Sequence, residues 1–241
     1  MNIPTLCTHP SFINEAYTYE LASDAREEIT ENNNVFGSAR SAGRRNNFWS
    51  AGQTLRIAIF SSTQEATQVV IAAINQWAPH VNLTFKFVED PGADIRIVVS
   101  GQAKDGNWST IGNDALRISP GEPTMMLGTD YKSPDFTHIV LHEFGHALGL
   151  KHEHQHPDAG LDWNLPAVYR EYRNLGYSNE TIYLDVLKKL DRAEVRLTPY
   201  DRQSIMHYAF PAYITWNKIE VRQNKTISKK DIEFIRSVYP R

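Results

Sequence analysis

Two histidines and a glutamate in the middle of the chain have the spacing of a metal-binding site. In the stretch "LHEFGHALGLKHEH" (residues 141–154), His142 and His146 are four residues apart. On a helix this spacing places both imidazoles on one face, about 6 Å apart along the axis, so both can bind one metal ion. Glu143 lies on the adjacent flank of that helix, where its carboxylate reaches a metal-bound water rather than the metal itself.

A catalytic metal needs a third protein ligand, and His152 is the natural candidate. A continuous helix would carry His152 about 15 Å along the axis from His142, which is out of reach. Gly149 lies between them, and glycine tolerates the left-handed conformation that ends a helix and reverses the chain. We therefore expect the helix to end at Gly149 and the chain to bend His152 back towards the first two histidines.

Three neutral imidazoles with a fourth position left open are typical of catalytic zinc rather than structural zinc. Zinc lowers the pKa of a bound water to about 7, and Glu143 can take the proton of that water as a general base. The resulting hydroxide can attack a carbonyl carbon that the same ion polarises. The motif thus predicts a zinc-dependent endopeptidase that hydrolyses internal peptide bonds of proteins.

Histidines also have more ordinary interpretations. A lone histidine is usually a core or surface residue, and scattered histidines would give no metal site. However, the five fixed positions of H-E-x-x-H-x-x-G-x-x-H seldom match one chain by accident. His138, His154 and His156 lie beside this pattern, and we expect none of them to bind the metal, because a catalytic site keeps one position open.

The flanking sequence predicts strands and helices that can hold this motif. Apolar residues alternate in 54–60, which favours a strand, and recur at helical spacing in 63–78 behind a Ser/Thr start. Residues 83–88 and 94–99 are two further predicted strands, separated by a Pro-Gly turn. Residues 124–128 ("TMMLG") form a candidate edge strand, and residues 228–239 a closing helix with Ser228 as its N-cap.

Composition limits the classes of partner. Hydrophobic residues make up 41% and charged residues 22% of the 241 residues, as in soluble globular proteins with a sizeable core. The formal net charge of −3 gives no reason to expect nucleic acid or an anionic membrane surface as a partner. No apolar run approaches the roughly 20 residues that span a bilayer. We expect a monomer that binds protein or peptide substrates and does not insert into membranes.

Residues 1–46 differ from the rest of the chain. We interpret them as an N-terminal extension or short propeptide, followed by a catalytic domain over residues 47–241. Helical spacing over residues 13–29 predicts a short helix, and "SARSAGRRNN" (residues 38–47) suits either proteolytic cleavage or an ordinary solvated linker. The first residues lack a basic flank followed by an apolar segment, so no signal peptide is visible.

The complete motif resembles the metzincin signature, in which H-E-x-x-H-x-x-G-x-x-H is followed by a Met-turn. The stretch "TPYDRQSIMHYAF" (residues 198–210) matches the Met-turn and contains Met206 and Tyr208. Glu153 directly after the third histidine, and the string Ser-Ile-Met-His-Tyr, are similar to the astacin group. The resemblance runs from about Trp49 to the end of the chain.

This resemblance implies an α+β fold with two lobes. A twisted mixed sheet with a backing helix and the active-site helix would lie above a cleft, and an irregular, partly helical lobe below it. One catalytic Zn2+ ion would be bound by His142, His146 and His152. Met206 would form an apolar floor beneath the ion, and Tyr208 would be a switchable fifth ligand that hydrogen-bonds the tetrahedral intermediate.

The resemblance also implies roles for residues around the cleft. Glu153 would accept the new N-terminus of a trimmed chain in a buried, water-linked contact. An extended substrate would pair with an edge strand, here the four residues Met125, Met126, Leu127 and Gly128. Residues 210–216 ("FPAYITW") would shape the primed-side pocket, and their aromatic members indicate a partly apolar wall.

The lone cysteine marks a departure from the family pattern. Animal astacins carry two disulfides in this domain, whereas Cys7 alone can form none, so the chain resembles a bacterial or fungal variant. No Phe-x-Gly-Asp latency motif is present. Cys7 is therefore either incidental or a thiolate ligand that binds the zinc and keeps the enzyme latent. Proteases of this kind act outside the cell, so we expect a secreted or exported protein.

Two other functions stay open at this stage. A binding module would keep the fold without turnover, although it has no need of the carboxylate of Glu143. A zinc-dependent exopeptidase would need an acidic cluster that binds a terminal amine, and no such cluster is evident. The identity of the substrate does not follow from the sequence.

Overall fold

The computed structural model describes residues 3, 5–7 and 47–241. The helix predicted over residues 13–29 lies outside these residues, as does all but the last residue of the stretch 38–47. Within the described part of the chain, no helix is both long enough and apolar enough to cross a lipid bilayer.

In the part of the chain that the structure describes, five strands form one mixed sheet. They are β1 Thr54–Ser61, β2 Thr84–Phe87, β3 Ile95–Val99, β4 Asn107–Ser109 and β5 Met125–Leu127, arranged in the order β2-β1-β3-β5-β4. The first three strands confirm the predictions from alternating apolar residues. β1 pairs parallel with β2 and β3, β3 pairs parallel with β5, and β4 is antiparallel to β5.

The prediction that residues 124–128 form the edge strand is wrong. β5 lies inside the sheet, because β4 covers its second side with Trp108 opposite Met126. The N–H of Gly128 also donates to the carbonyl of Gly106, at 2.8 Å. β4 has only three residues, too few for alternation to be recognised in the sequence. The strand at this edge of the sheet is therefore β4, Asn107–Ser109.

Within the described residues, five α-helices accompany the sheet. They are α1 Gln64–Ile74, α2 Phe136–Ala147, α3 Leu165–Asn174, α4 Asn179–Ile182 and α5 Lys229–Val238. A π-helical turn, Tyr183–Leu187, continues α4, and short 3-10 turns lie at Ala78–His80, Ala103–Asp105, Gly112–Arg117, Glu153–Gln155 and Ala212–Ile214. Thr63 caps α1, which ends earlier than predicted, and Ser228 with Asp231 forms the capping box of α5.

Two apolar clusters divide the molecule into an upper and a lower lobe. The upper cluster packs the sheet against α1, α2 and α5, with Trp77 and Phe144 fully buried. The lower cluster centres on α3, with Val168, Tyr172 and Phe210 fully buried. This is the expected α+β arrangement of a regular lobe above a mostly irregular one.

Candidate metal centre and active site

The helix α2 is buried on almost every side, which explains its apolar sequence. It packs against α1, β4 and β5 through residues that include Val140 and Phe144. The indole N–H of Trp77 donates to the carbonyl of Leu141, at 3.2 Å. His142, Glu143 and His146 therefore project from a helix whose position is fixed by packing.

The chain reverses at Gly149, as predicted. α2 ends at Ala147, and Gly149 has a φ of +97°, a conformation that L-residues with a Cβ rarely adopt. A Cβ at this position would also collide with the ring of Phe48. After the reversal, the ring of His152 lies 4.5 Å from that of His146, measured between centroids.

Four potential ligand atoms converge below α2. A ring nitrogen from each of His142, His146 and His152, and Sγ of Cys7, all lie within 4.8 Å of one another. Nδ1 of His142 lies 2.8 Å from the carbonyl of Ile205, and Nδ1 of His146 lies 2.8 Å from a backbone carbonyl of the reversal. Because a carbonyl only accepts, both Nδ1 atoms donate, which leaves the Nε2 lone pairs facing the cluster.

These residues fit a zinc ion. Burial lowers the pKa of His142 to about 4, and burial also holds the pKa values of His146 and His152 well below the usual range. All three are neutral ligands at physiological pH. Nε2 of His142 has no hydrogen-bond partner among the described residues, and Nε2 of His146 lies 3.0 Å from Nε2 of His152. A shared cation satisfies all three nitrogens.

Glu143 lies beside this cluster and is only 1% exposed. Burial raises the pKa of its carboxyl to about 8, and a hydrogen bond from the Cys7 side chain opposes that shift. The atom Oε2 has no hydrogen-bond partner in the described part of the chain. A nearby cation would favour the carboxylate again, since an opposite charge stabilises the ionised form.

The Met-turn approaches α2 closely. Met206 is 1% exposed, its N–H donates to Oγ of Ser204 at 3.0 Å, and its carbonyl accepts the N–H of Glu153 at 3.0 Å. A Cβ on Gly145 would collide with Sδ of Met206. Gly145 is one of the variable positions x of the motif H-E-x-x-H. The motif therefore gave no indication that a glycine is needed here to make room for Met206.

Asp231 connects the last helix to the metal site and was not predicted as a site residue. Its carboxylate accepts hydrogen bonds from Oγ of Ser204 at 2.6 Å and from the N–H of Ile205 at 2.9 Å. The carbonyl of the same Ile205 orients His142. In the sequence only the capping-box pattern with Ser228 singles out Asp231, and that pattern predicts a helix start rather than a site.

Tyr208 reaches the cluster from the lower lobe. Its ring centroid lies 4.3 Å from that of His152 and 4.5 Å from that of His154. The rings of Tyr208 and His154 are nearly parallel. Its hydroxyl accepts the N–H of Cys7 at 3.0 Å. The structure thus brings the predicted switchable tyrosine next to the third predicted ligand.

The neighbouring histidines contact other groups. Nε2 of His154 lies 2.9 Å from the carbonyl of Asp185, and Nε2 of His156 lies 2.9 Å from the carbonyl of Thr198. Nδ1 of His138 lies 3.8 Å from the carboxylate of Asp135, the residue that precedes α2. These three histidines therefore contact backbone carbonyls or a carboxylate, and none of them belongs to the group of converging ligand atoms.

Glu153 borders a cavity of about 60 Å³ that His152, Met206, Asp201, Lys230 and Asp231 also line. Its Oε1 accepts the N–H of Asp201 at 2.6 Å. Burial raises the pKa of Glu153 to about 8, and nearby acidic groups add to that shift. Among the described residues, this carboxylate is not one of the groups that converge on the metal cluster.

The sequence profile of the astacin peptidase family matches residues 42–239. Zinc metalloproteinase nas-36 of Caenorhabditis elegans is 33% identical over 165 residues, which are 67% of this chain and 22% of that protein. The corresponding protein of Brugia malayi is 30% identical over 168 residues, 67% of this chain and 24% of that protein. The chain therefore spans less than a quarter of the length of these curated relatives.

Two solved structures resemble the fold. Myroilysin is 34% identical, with a TM-score of 0.77 that covers 82% of this chain and 97% of that chain. The hatching enzyme HCE-1 of the medaka Oryzias latipes, a zinc protease, is 19% identical, with a TM-score of 0.56 over 84% of this chain and 98% of that chain. The similarity to the hatching enzyme concerns the fold alone.

Proposed function

The chain belongs to the astacin family of zinc metalloendopeptidases, whose members use one catalytic zinc ion, and on that premise we propose that it hydrolyses internal peptide bonds with Glu143 as general base. The observation that carries this proposal is the convergence of His142, His146 and His152 beside a buried carboxylate. The substrates would be proteins or peptides.

The three histidines would hold the zinc through Nε2. Bound zinc supplies Lewis acidity, which lowers the pKa of water and polarises a carbonyl. Glu143 then acts as the proton acceptor and later returns the proton to the leaving amine. Its burial supports this role, because a carboxylate shielded from bulk water exchanges its proton with the reacting groups rather than with solvent.

Tyr208 would hydrogen-bond the oxygen that develops charge during attack on the carbonyl. Its hydroxyl already contacts a backbone N–H, that of Cys7, beside the histidine cluster, which supports a position within reach of a bound peptide. A fixed donor aimed at a developing oxyanion is usually one of the larger contributions to catalysis.

The edge strand β4 would bind the substrate backbone. The N–H of Thr110 donates to the carbonyl of Thr124 at 2.8 Å, so this pair is hydrogen-bonded. Bonded and non-bonded pairs alternate along an antiparallel ladder, so the backbone groups of Asn107 and Ser109 face away from β5. These groups can pair with an extended peptide, which favours an endopeptidase over an exopeptidase.

We also propose that Cys7 keeps the full chain latent by filling the position that a substrate needs. Its position within the ligand cluster and the burial of the adjacent Leu6 support this role. Replacing Cys7 by Ser should raise the activity of the full chain. If activity is unchanged while residues 1–46 remain attached, the proposal fails.

Glu153 would receive the N-terminus that cleavage within residues 38–47 creates. The cavity beside it is also lined by the carboxylates of Asp201 and Asp231, which could accept a terminal amine, and by the cations Lys151, Arg196 and Lys230, which balance their charge. Such a zymogen would be secreted and would act as a monomer. A Glu153→Gln chain, trimmed at the same point as the wild type, should lose thermal stability relative to it; equal stability would remove this role.

The decisive test is cleavage of a denatured, quenched-fluorescent protein by the full chain and by a form that begins at Asn47. Activity that a zinc chelator abolishes and zinc restores would support the endopeptidase, and higher activity after trimming would support latency. Cleavage of peptides whose termini are blocked would exclude an exopeptidase. If neither form cleaves the substrate although each binds one equivalent of zinc, the proposal fails in favour of a binding module.

A further inference from the structure

His207 is a buried histidine of the Met-turn to which the sequence assigned no role. It lies between Met206 and Tyr208, and its side chain is 1% exposed. Both of its ring nitrogens have partners: Nδ1 lies 2.7 Å from the carbonyl oxygen of Tyr208, and Nε2 lies 2.9 Å from the hydroxyl of Tyr200. An imidazole that is bonded at both nitrogens inside the protein has one fixed orientation.

The partners of His207 determine which of its nitrogens carries the proton. A carbonyl oxygen only accepts, so Nδ1 donates to Tyr208. Burial lowers the pKa of His207 to about 4, although the bond to that carbonyl opposes the shift, so the ring is neutral. Nε2 then accepts from the hydroxyl of Tyr200. A chain of two hydrogen bonds therefore runs from the Tyr200 hydroxyl through the His207 ring to the Tyr208 carbonyl.

The first member of this chain, Tyr200, is itself held by its backbone. Nζ of Lys230 on α5 donates to the carbonyl of Tyr200 at 2.8 Å. The N–H of the next residue, Asp201, donates to Oε1 of Glu153 at 2.6 Å. The phenol that fixes His207 thus projects from a backbone that is bonded both to the last helix and to the turn after the third histidine.

The second member of the chain acts on the backbone of Tyr208. The direction of a carbonyl is set by the ψ angle of its own residue, so the bond from His207 restrains the backbone from which the Tyr208 phenol projects. At the other end of this side chain, the Tyr208 ring stacks on His154, with centroids 4.5 Å apart and planes at 18°. Tyr208 is therefore held both at its backbone and at its ring.

We infer that His207, held by Tyr200, is a positioning residue that sets the direction of the Tyr208 hydroxyl. This inference rests on the proposed role of Tyr208 as the donor to the developing oxyanion. Such a donor is effective when it is already aimed before the reaction starts. His207 is not one of the converging ligand atoms of the described residues, so its contribution to the reaction passes through Tyr208.

Two amide variants separate the two nitrogens of His207. In the full chain with Cys7→Ser, His207→Asn places an amide N–H near the position of Nδ1 and keeps the bond to Tyr208, whereas His207→Gln places it near Nε2 and loses that bond. We expect His207→Gln to lower kcat by about 10-fold at unchanged KM and zinc content, and His207→Asn by no more than about 3-fold. Equal kcat values for the two variants overturn the inference.

Tyr200→Phe tests the same chain of hydrogen bonds without changing His207, and it serves if a His207 variant fails to fold. Loss of the hydroxyl loosens the His207 ring, so kcat should fall by about 3-fold at unchanged KM. Tyr131→Phe, which removes a hydroxyl bonded to Glu65 at the surface, is the matched control. A kcat for Tyr200→Phe equal to that of the control contradicts the role of Tyr200.

A double-mutant cycle distinguishes positioning of Tyr208 from general support of the Met-turn. In the Tyr208→Phe background there is no hydroxyl to aim, so adding His207→Gln should leave kcat unchanged. If the two losses multiply instead, His207 acts on the reaction by another route and the inference fails. An undiminished kcat in Tyr208→Phe alone refutes the proposed role of Tyr208, and with it the kinetic part of the inference.

A spectroscopic measurement tests the geometry without turnover. 3-Fluorotyrosine is placed at position 208 of the full chain with Cys7→Ser, and its 19F resonance is recorded. The stacked His154 ring should displace this resonance from that of free fluorotyrosine. We expect His207→Asn to keep the resonance and His207→Gln to broaden it or move it towards the free value. An identical resonance in His207→Gln and its parent refutes the positioning role, whether or not the enzyme is active.

Discussion

The two halves of the metal site are built in different ways. The upper half comes from a single helix, α2, whose packing against the sheet fixes His142, Glu143 and His146 together. The lower half comes from irregular segments, and individual hydrogen bonds fix Met206 and Tyr208. The upper half is thus positioned by the packing of one helix, whereas the lower half is positioned by hydrogen bonds and ring contacts between segments that lie far apart in the chain.

The largest effect on turnover should come from removing the carboxylate of Glu143 in the upper half. Glu143→Gln keeps the size of the side chain but removes the proton acceptor, so turnover should fall by roughly 10²–10⁴-fold. Packing of α2 should be unaffected, and the variant should still bind one zinc per chain. Hydrolysis of the quenched substrate and metal analysis test both points. Wild-type turnover in this variant would contradict the role of Glu143.

The lower half should contribute a smaller share of catalysis through Tyr208. Tyr208→Phe removes the hydroxyl and keeps the stacked ring, so kcat should fall by about 10²-fold with little change in zinc content. The matched control is Tyr131→Phe, whose hydroxyl hydrogen-bonds Glu65 at the exposed surface. Equal kcat values for the two variants would show that the Tyr208 hydroxyl takes no part in the reaction.

The contrast between the two halves also explains which features could be predicted from the sequence. Periodic features were recognisable: the spacing of His142 and His146, the glycine that ends α2, the alternating strands and the capping box at Ser228. Each of these is a pattern within one helix or strand or at its end, and the structure agrees with them. They account for most of the upper lobe.

Contacts between distant segments were not recognisable. Gly145 lies against Met206, and Asp231 hydrogen-bonds Ser204, but no periodicity records pairs that lie so far apart in the chain. β4 was missed because three residues carry no alternation, which also misplaced the edge of the sheet. The apolar cluster that contains Leu6 is assembled from α3, the π-helical turn and residues after the Met-turn.

The hydrogen bonds of Asp231 offer a way to weaken the contact between the Met-turn and His142. Asp231→Asn replaces one acceptor oxygen by an amide, so either the Ser204 hydroxyl or the N–H groups of Ile205 and Ser228 lose a buried acceptor, at a cost of about 1–3 kcal/mol. Thermal unfolding should occur several degrees lower, and zinc affinity should fall because Ile205 orients His142. Glu233→Gln, a change on the same helix away from these hydrogen bonds, is the control. Unchanged zinc affinity would refute the link from Asp231 to His142.

The smallest effect is expected where the two halves touch. Gly145→Ala improves helix propensity by up to about 1 kcal/mol, but the new methyl collides with Met206 and should cost about 1–3 kcal/mol. We expect a modest net loss of stability in thermal unfolding. Combining it with Met206→Ala should give less than the sum of the two losses, since the collision is removed. Additive losses would show that the two residues do not interact.

The position of Asp231 in the chain has a consequence for biosynthesis. Chains are made from the N-terminus, and all three histidines and the Met-turn are translated well before the helix Lys229–Val238. Before that helix has formed, the N–H of Ile205 lacks the Asp231 carboxylate, so the carbonyl that orients His142 is less firmly held. Full ordering of the metal site therefore follows the folding of the helix Lys229–Val238 rather than that of α2 alone.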